Sequence, residues 1–184
     1  MNDSPQRILI TGFMAAGKTT VARSLARMLV CACVDLDDLV CRREGRRPHE
    51  LIDEDGEDAF RDAETRALRS ALERSDARAV IALGGGTWTL ERNRALVARH
   101  KCFTVWLDAP FDLCWQRIAS ADSLPDRPLA RDREQARKLY ESRRALYQLA
   151  DLRVVVTPER SADDIADDIA AGILQSARRN ARSK

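Results

Sequence analysis

The chain has 184 residues, of which 45% are hydrophobic and 33% charged, with a net charge of +2. That length suits one domain, the apolar share is enough for a core, and the balance excludes wholesale disorder. So small a positive surplus does not imply nucleic acid, and its bearers are mostly arginine, the side chain suited to planar capture of carboxylates and phosphates.

Short apolar runs alternate with helical patterns along the chain. Residues 8–10 form a β-like run, and Val21, Leu25, Met28 and Leu29 follow at helical spacing. The next short run is 31–34, and helices are expected over 38–43 and 57–74. A strand over 79–83 ends in Gly84, Gly85 and Gly86. Helix, strand and helix then occupy 90–98, 102–107 and 111–119. The polar stretch 120–131 carries Pro125 and Pro128; it is a poor helix and long enough for a lid. Helix returns over 132–149 and a last strand over 152–156. The final helix opens at Ser161, with Asp163 and Asp164 in its first turn and Ile165, Ile169 and Ile173 on one face. The basic tail 177–184 is expected to fray in solvent rather than to act as a nucleic-acid arm. Five strands separated by helices predict an α/β fold: a parallel sheet covered on both faces, in one domain over 1–176. Its ligand belongs at the carboxyl ends of the strands.

The five cysteines, at 31, 33, 41, 102 and 114, are odd in number and lack paired zinc-ligand spacing. Cys31, Cys33 and Cys102 adjoin apolar runs and are expected as buried, reduced thiols. The first residues hold no apolar signal core, and no apolar run approaches ~20 residues. A cytoplasmic protein without a membrane partner is the expectation.

Directly after the first strand comes Gly12-Phe13-Met14-Ala15-Ala16-Gly17-Lys18-Thr19. This is the P-loop pattern: a glycine, four residues, then Gly-Lys-Ser/Thr. Such a loop turns successive N–H groups inward on phosphate oxygens, and the helix that follows adds its positive end. Gly17 permits close backbone approach, Lys18 reaches the outer phosphates, and the Thr19 hydroxyl is suited to Mg²⁺. ATP and Mg²⁺ are therefore the expected cofactors. Strand two ends in Asp35-Leu36-Asp37-Asp38. Two residues apart on an extended chain, Asp35 and Asp37 would share one side, Asp35 near the metal and Asp37 against an acceptor hydroxyl. Helix capping would explain such residues equally well, and Asp38 is the expected cap.

With these features in place, the sequence resembles the shikimate kinases over about residues 7–173. The resemblance rests on the P-loop, the Asp-x-Asp after strand two, Gly56-Glu57, Phe60-Arg61 and Glu64. It continues through Leu83-Gly84-Gly85-Gly86, Arg127-Pro128-Leu129, and Arg143 four residues before Tyr147. It implies a P-loop three-layer sandwich with strand order 2-3-1-4-5, acting as an ATP-dependent kinase on shikimate. Asp37 would then hold the substrate hydroxyls, and Arg61 and Arg143 its carboxylate. Gly84, Gly85 and Gly86 would bring backbone up to the ring, and Glu64 would support that site. The lid arginine is Arg127, and Arg117 would pack on adenine. The nucleotide set thus comprises Gly12, Ala15, Ala16, Gly17, Lys18, Thr19, Thr20, Arg117, Arg127 and Ser161, with Thr19 and Asp35 at the metal. The catalytic set is Asp37, Lys18 and Arg127. The substrate region spans about 37–64, and a monomer is expected.

The match departs from the family where the acceptor would bind. Ala15 replaces a common P-loop glycine, Pro48, Leu51 and Ile52 stand in for an apolar set that includes an aromatic, Ala130 replaces a leucine and Ala145 a proline. A kinase for another hydroxy acid such as gluconate, or a sensor that binds without transfer, are the alternatives these changes leave open.

Overall fold

The computed structural model describes residues 7–73, 78–120 and 132–182. Strands β1 (Arg7–Thr11), β2 (Ala32–Asp35), β3 (Ala79–Ala82), β4 (Phe103–Asp108) and β5 (Leu152–Val155) form one parallel sheet. Their order is β2-β3-β1-β4-β5, as expected. The central strand β1 pairs on both sides, with Ile8 opposite Val80 in β3 and Phe103 in β4. All five of its residues are buried, which is why Ile8, Leu9 and Ile10 run unbroken instead of alternating with polar residues.

The helices are α1 (Lys18–Met28), α2 (Leu36–Glu44), α3 (Pro48–Asp55), α4 (Glu57–Glu73), α5 (Glu91–Arg99), α6 (Phe111–Ala119), α7 (Arg133–Tyr147) and α8 (Ala162–Arg182). The step from β1 to β2 runs across the sheet in one direction, and those from β2 through β5 run in the other. Right-handed crossovers therefore put α1 on one face and α4 and α5 on the opposite one. Packing agrees: α1 lies against α8, and α4 lies against α2, α3 and α5. The loops leaving β1 and β3, neighbouring strands, thus turn to opposite faces. The crevice between them is the switch point where open α/β sheets bind ligands.

Several local expectations are corrected. Helix α3 was not foreseen. Pro48 starts it, where a missing N–H costs nothing, and the Glu50 carboxylate accepts from the Arg47 N–H at 2.6 Å to close its first turn. Asp35, not Asp38, caps α2: its Oδ1 accepts from the N–H groups of Asp37 (3.0 Å) and Asp38 (3.4 Å). Asp37 therefore lies in a first helical turn and not on extended chain. Cys33 is exposed because β2 is an edge strand, Cys31 and Cys102 are half-buried, and Cys114 is the buried thiol. Helix α8 continues to Arg182, past the point where the tail was expected to fray. Of the expected lid over 120–131, Ser120 ends α6, and the rest, Arg127 included, lies outside the described residues. No helix among the described residues is long and apolar enough to cross a membrane.

One glycine sets how closely the crevice approaches the sheet. Gly12 leaves β1 at φ 144°, and a Cβ there would stand 2.7 Å from the Leu107 carbonyl oxygen of β4. Gly12→Ala is expected to lower stability by about 2 kcal/mol through strain and displacement of the loop. Thermal unfolding with and without nucleotide checks this: the midpoint should fall, and the stabilisation by nucleotide should shrink.

Candidate active site

A cavity of about 610 Å³ opens at the carboxyl end of the sheet, between the loops that leave β1 and β3. Its first wall is the P-loop. Gly17 (φ 97°) enters α1, and no side chain caps that helix. The N–H groups of the first turn are thereby left for an anion, with the helix dipole behind them. Ala15 adopts φ 59°, a left-handed conformation that costs a non-glycine residue about 1 kcal/mol. The Arg117 guanidinium donates to the Ala15 carbonyl at 3.1 Å, fixing the turn from α6. Lys18 Nζ donates to the Phe13 carbonyl at 2.9 Å, which folds the ammonium back over its own loop.

Between the walls stand the two aspartates of the β2 end. Thr19 Oγ1 donates to Asp35 Oδ2 at 2.6 Å, while the other Asp35 oxygen caps α2. Asp35 is thus turned by its cap toward the end of the P-loop. Asp37 opens onto the cavity and remains exposed to it. Loss of bulk water, then the negative charges of Glu64 and Asp35, push its carboxyl up to about 6, against a smaller pull from Lys18. Because water still reaches the residue, the crowding by carboxylates is the firmer of these causes.

The second wall belongs to α4, the β3 loop and α7. Helical spacing brings Glu57, Arg61 and Glu64 together: Arg61 donates to Glu57 Oε1 at 2.8 and 3.2 Å and to Glu64 Oε2 at 2.6 Å. Glu64 is fully buried and Arg61 nearly so. The three glycines give way to this network. A side chain on Gly84 would collide with Glu64, Asp37 and Thr87, and one on Gly86 with the Arg61 guanidinium. Their smallness makes room for charged groups, a reason beyond the bare N–H groups foreseen from the sequence. None of the three has a positive φ.

Arg143 projects into the cavity from α7, and burial pulls its guanidinium below the usual range. It bonds to the Tyr147 hydroxyl, which donates to the Gly85 carbonyl at 2.6 Å. The neighbouring Arg144 turns the other way, to Asp108 (3.3 Å) and the Tyr140 hydroxyl (3.4 Å), which settles the register of α7.

The cavity therefore brings together Ala15, Ala16, Gly17, Lys18, Thr19, Thr20, Asp35, Asp37, Arg61, Glu64, the three glycines, Arg117 and Arg143. Gly12, expected in the nucleotide set, is not a lining residue. Ser161 is not a lining residue; its hydroxyl and N–H share Asp164 Oδ2 in a capping box at the start of α8, while the adjoining Arg160 and Ala162 line the cavity. Pro48, Ile52 and Phe60 add apolar lining, as do Met14, Leu83, Val156 and Ile165 elsewhere in the cavity. Sequence reasoning missed Thr87, Glu57 and Arg160. The i−4 spacing of Glu57 from Arg61 could have found the second; nothing local signals the other two.

Comparison with known proteins gives a consistent result. The family model described as shikimate kinase matches residues 14–174. A shikimate kinase of Ruegeria pomeroyi is 35% identical over 166 residues, covering 90% of this chain and 84% of that one. That of Rhodopirellula baltica is 36% identical over 170 residues, covering 90% and 89%. Among solved structures, the shikimate kinase of Acinetobacter baumannii in complex with shikimate aligns with a TM-score of 0.85 at 32% identity, covering 94% of each chain.

The raised Asp37 carboxyl carries a stability consequence of definite sign. Its folded value lies above the ordinary 3.8, so the fold disfavours the charged form. The penalty is absent below about pH 4, grows as pH rises, and is full above about 6. Asp37→Asn is therefore expected to stabilise the ligand-free protein by about 1 kcal/mol at pH 8, the shift being discounted for the water that reaches the group. Thermal midpoints of the two proteins across pH 4–8 check this, and the gap should close toward pH 4.

Proposed function

This chain belongs to the shikimate kinase family, and we infer that it transfers the γ-phosphate of ATP to the 3-hydroxyl of shikimate. The observation that carries the reading is the composition of one cavity: a P-loop on one wall, two buried arginines on the other, and Asp37 open between them. Phosphates engage the N–H groups of the P-loop and the ammonium of Lys18. The acceptor's carboxylate engages Arg61 and Arg143. The two guanidiniums are unequal: Arg61 already holds two carboxylates, whereas Arg143 is desolvated beside a hydroxyl. An incoming carboxylate gains most from Arg143.

Asp37 orients the acceptor hydroxyl and receives its proton. At neutral pH a carboxyl near 6 is mostly ionised and more basic than an ordinary aspartate. Orientation is the larger contribution, since a loose transition state demands little early deprotonation. Arg127, outside the described residues, is proposed from the family resemblance alone to meet the transferring phosphoryl group. The paired oxygens of Thr19 and Asp35 are the hard donors that Mg²⁺ prefers, so these two residues fit the metal that accompanies ATP. Bound there, Mg²⁺ supplies charge neutralisation on the phosphates. Free thiols at Cys31, Cys33, Cys41, Cys102 and Cys114 support a reducing, cytoplasmic setting.

The test is ADP release from MgATP with shikimate, quinate and gluconate side by side. Shikimate-dependent release is expected, with kcat/KM for shikimate falling by about 100-fold in Arg61→Ala. Release with gluconate alone would sink the assignment and point to Pro48 and Ile52. A second expectation concerns pH. Asp37 serves as a carboxylate, so kcat/KM should decline as pH drops through about 6. Asp37→Asn should lose at least about 100-fold in turnover while keeping its affinity for ATP.

A further inference from the structure

We propose that Thr87 is a positioning residue for this reaction: its buried hydroxyl holds the Glu64 carboxylate in the orientation that keeps Arg61 facing the acceptor. The inference rests on the functional reading above, because Arg61 matters there as a ligand for the acceptor's carboxylate.

Thr87 and Glu64 are both fully buried, and Thr87 Oγ1 donates to Glu64 Oε1 at 2.5 Å. Arg61 donates to the other oxygen, Oε2, at 2.6 Å. Each oxygen of the buried carboxylate thus has one donor from a different element, and neither is spare. The threonine is itself held. Its N–H donates to the Gly84 carbonyl at 3.1 Å, and its own carbonyl accepts from Asn93 Nδ2 at 2.9 Å. Asn93 is fully buried at the start of α5. The short 3₁₀ turn Thr87–Thr89 is anchored further by Arg94, which donates to the carbonyls of Trp88 (2.9 Å) and Thr89 (2.7 Å). Trp88 Nε1 ties the same turn to the Leu146 carbonyl of α7 at 2.9 Å. A hydroxyl so fixed selects one orientation of Glu64.

The oxygen that Thr87 engages is also the one that crowds the reacting region. Glu64 Oε1 and Asp37 Oδ1 both press on the face of Gly84 where a side chain would begin. Without the hydroxyl, Oε1 is left buried and undonated. Glu64 then turns and takes Arg61 with it.

The experiment compares wild type, Thr87→Val and Thr87→Ser. Valine keeps the shape and removes the hydroxyl; serine restores the hydroxyl; Thr87→Ala supplies the comparison if valine is not accommodated. First, ¹H–¹⁵N NMR of the ligand-free proteins follows the Arg61 Nε–H. Its resonance should move and its exchange with solvent quicken by about tenfold or more in the valine variant, and both should return in the serine variant. Second, in turnover, KM for shikimate should rise about tenfold in Thr87→Val, with KM for ATP and kcat at pH 8 changing less than about twofold. A folded Thr87→Val protein with an unmoved Arg61 resonance and an unchanged KM would overturn the proposal. A uniform loss in kcat and in both KM values, unrelieved by serine, would also overturn it, by marking a general structural role. Failure of the functional reading looks different: wild type itself would neither bind nor phosphorylate shikimate, and the ligand-free Arg61 resonance would still decide the part played by Thr87.

Discussion

A carboxylate with no access to water dictates how one half of this cavity is built. Burying Glu64 costs several kcal/mol unless both of its oxygens are donated to. Arg61 satisfies one, and Thr87 the other. Bringing a guanidinium and a hydroxyl to the same carboxylate leaves no volume at the end of β3, so the chain there is reduced to glycine. The bare backbone of that triplet in turn offers the Gly85 carbonyl to Tyr147, which draws α7 in and with it Arg143. Arg61, the glycines and Arg143 come from three separate elements. Arg61 and the glycines meet around one buried charge, and the Tyr147–Gly85 bond adds Arg143 to the same wall.

The opposite wall works on a different principle. There the anion-binding groups are backbone N–H groups and a helix end, set by a turn of fixed shape and almost independent of side chains other than Lys18. Asp35 joins the two. One of its oxygens caps α2, which carries Asp37, and the other receives the Thr19 hydroxyl at the end of the P-loop. The distance between phosphate donor and hydroxyl acceptor is thereby governed by one residue in contact with both sides.

How far the sequence could be read follows from this division. The P-loop was legible because its chemistry is made by contiguous backbone, so spacing is geometry. Strands β1, β3 and β4 were legible as apolar runs, since a parallel sheet buries both faces. Helix α3 escaped notice because eight residues opened by Pro48 carry little periodicity. Asp38 was mistaken for the cap, because any of three nearby aspartates suits that place and only the backbone turn decides among them. The glycine triplet was recognised, yet its purpose lay in side chains from α4, invisible along the chain. Thr87 is the extreme case: it acts on a residue 23 positions away. Arg61 and Glu64 stood in helical register with each other, and that register was readable.

The helices between β2 and β3 lie apart from the rest in one respect. α2 and α3 both pack chiefly on α4, and Arg46 closes their connection through Glu54 (2.9 Å) and Asp55 (2.6 Å). Pro48 and Ile52 reach the cavity from this segment, which meets the P-loop through the Thr19–Asp35 bond at the start of α2. Such an arrangement separates two evolutionary tasks. Substitutions in α3 can reshape the apolar side of the acceptor pocket while leaving the nucleotide machinery intact. A lineage of such proteins is therefore free to drift in what it phosphorylates long before it can drift in how.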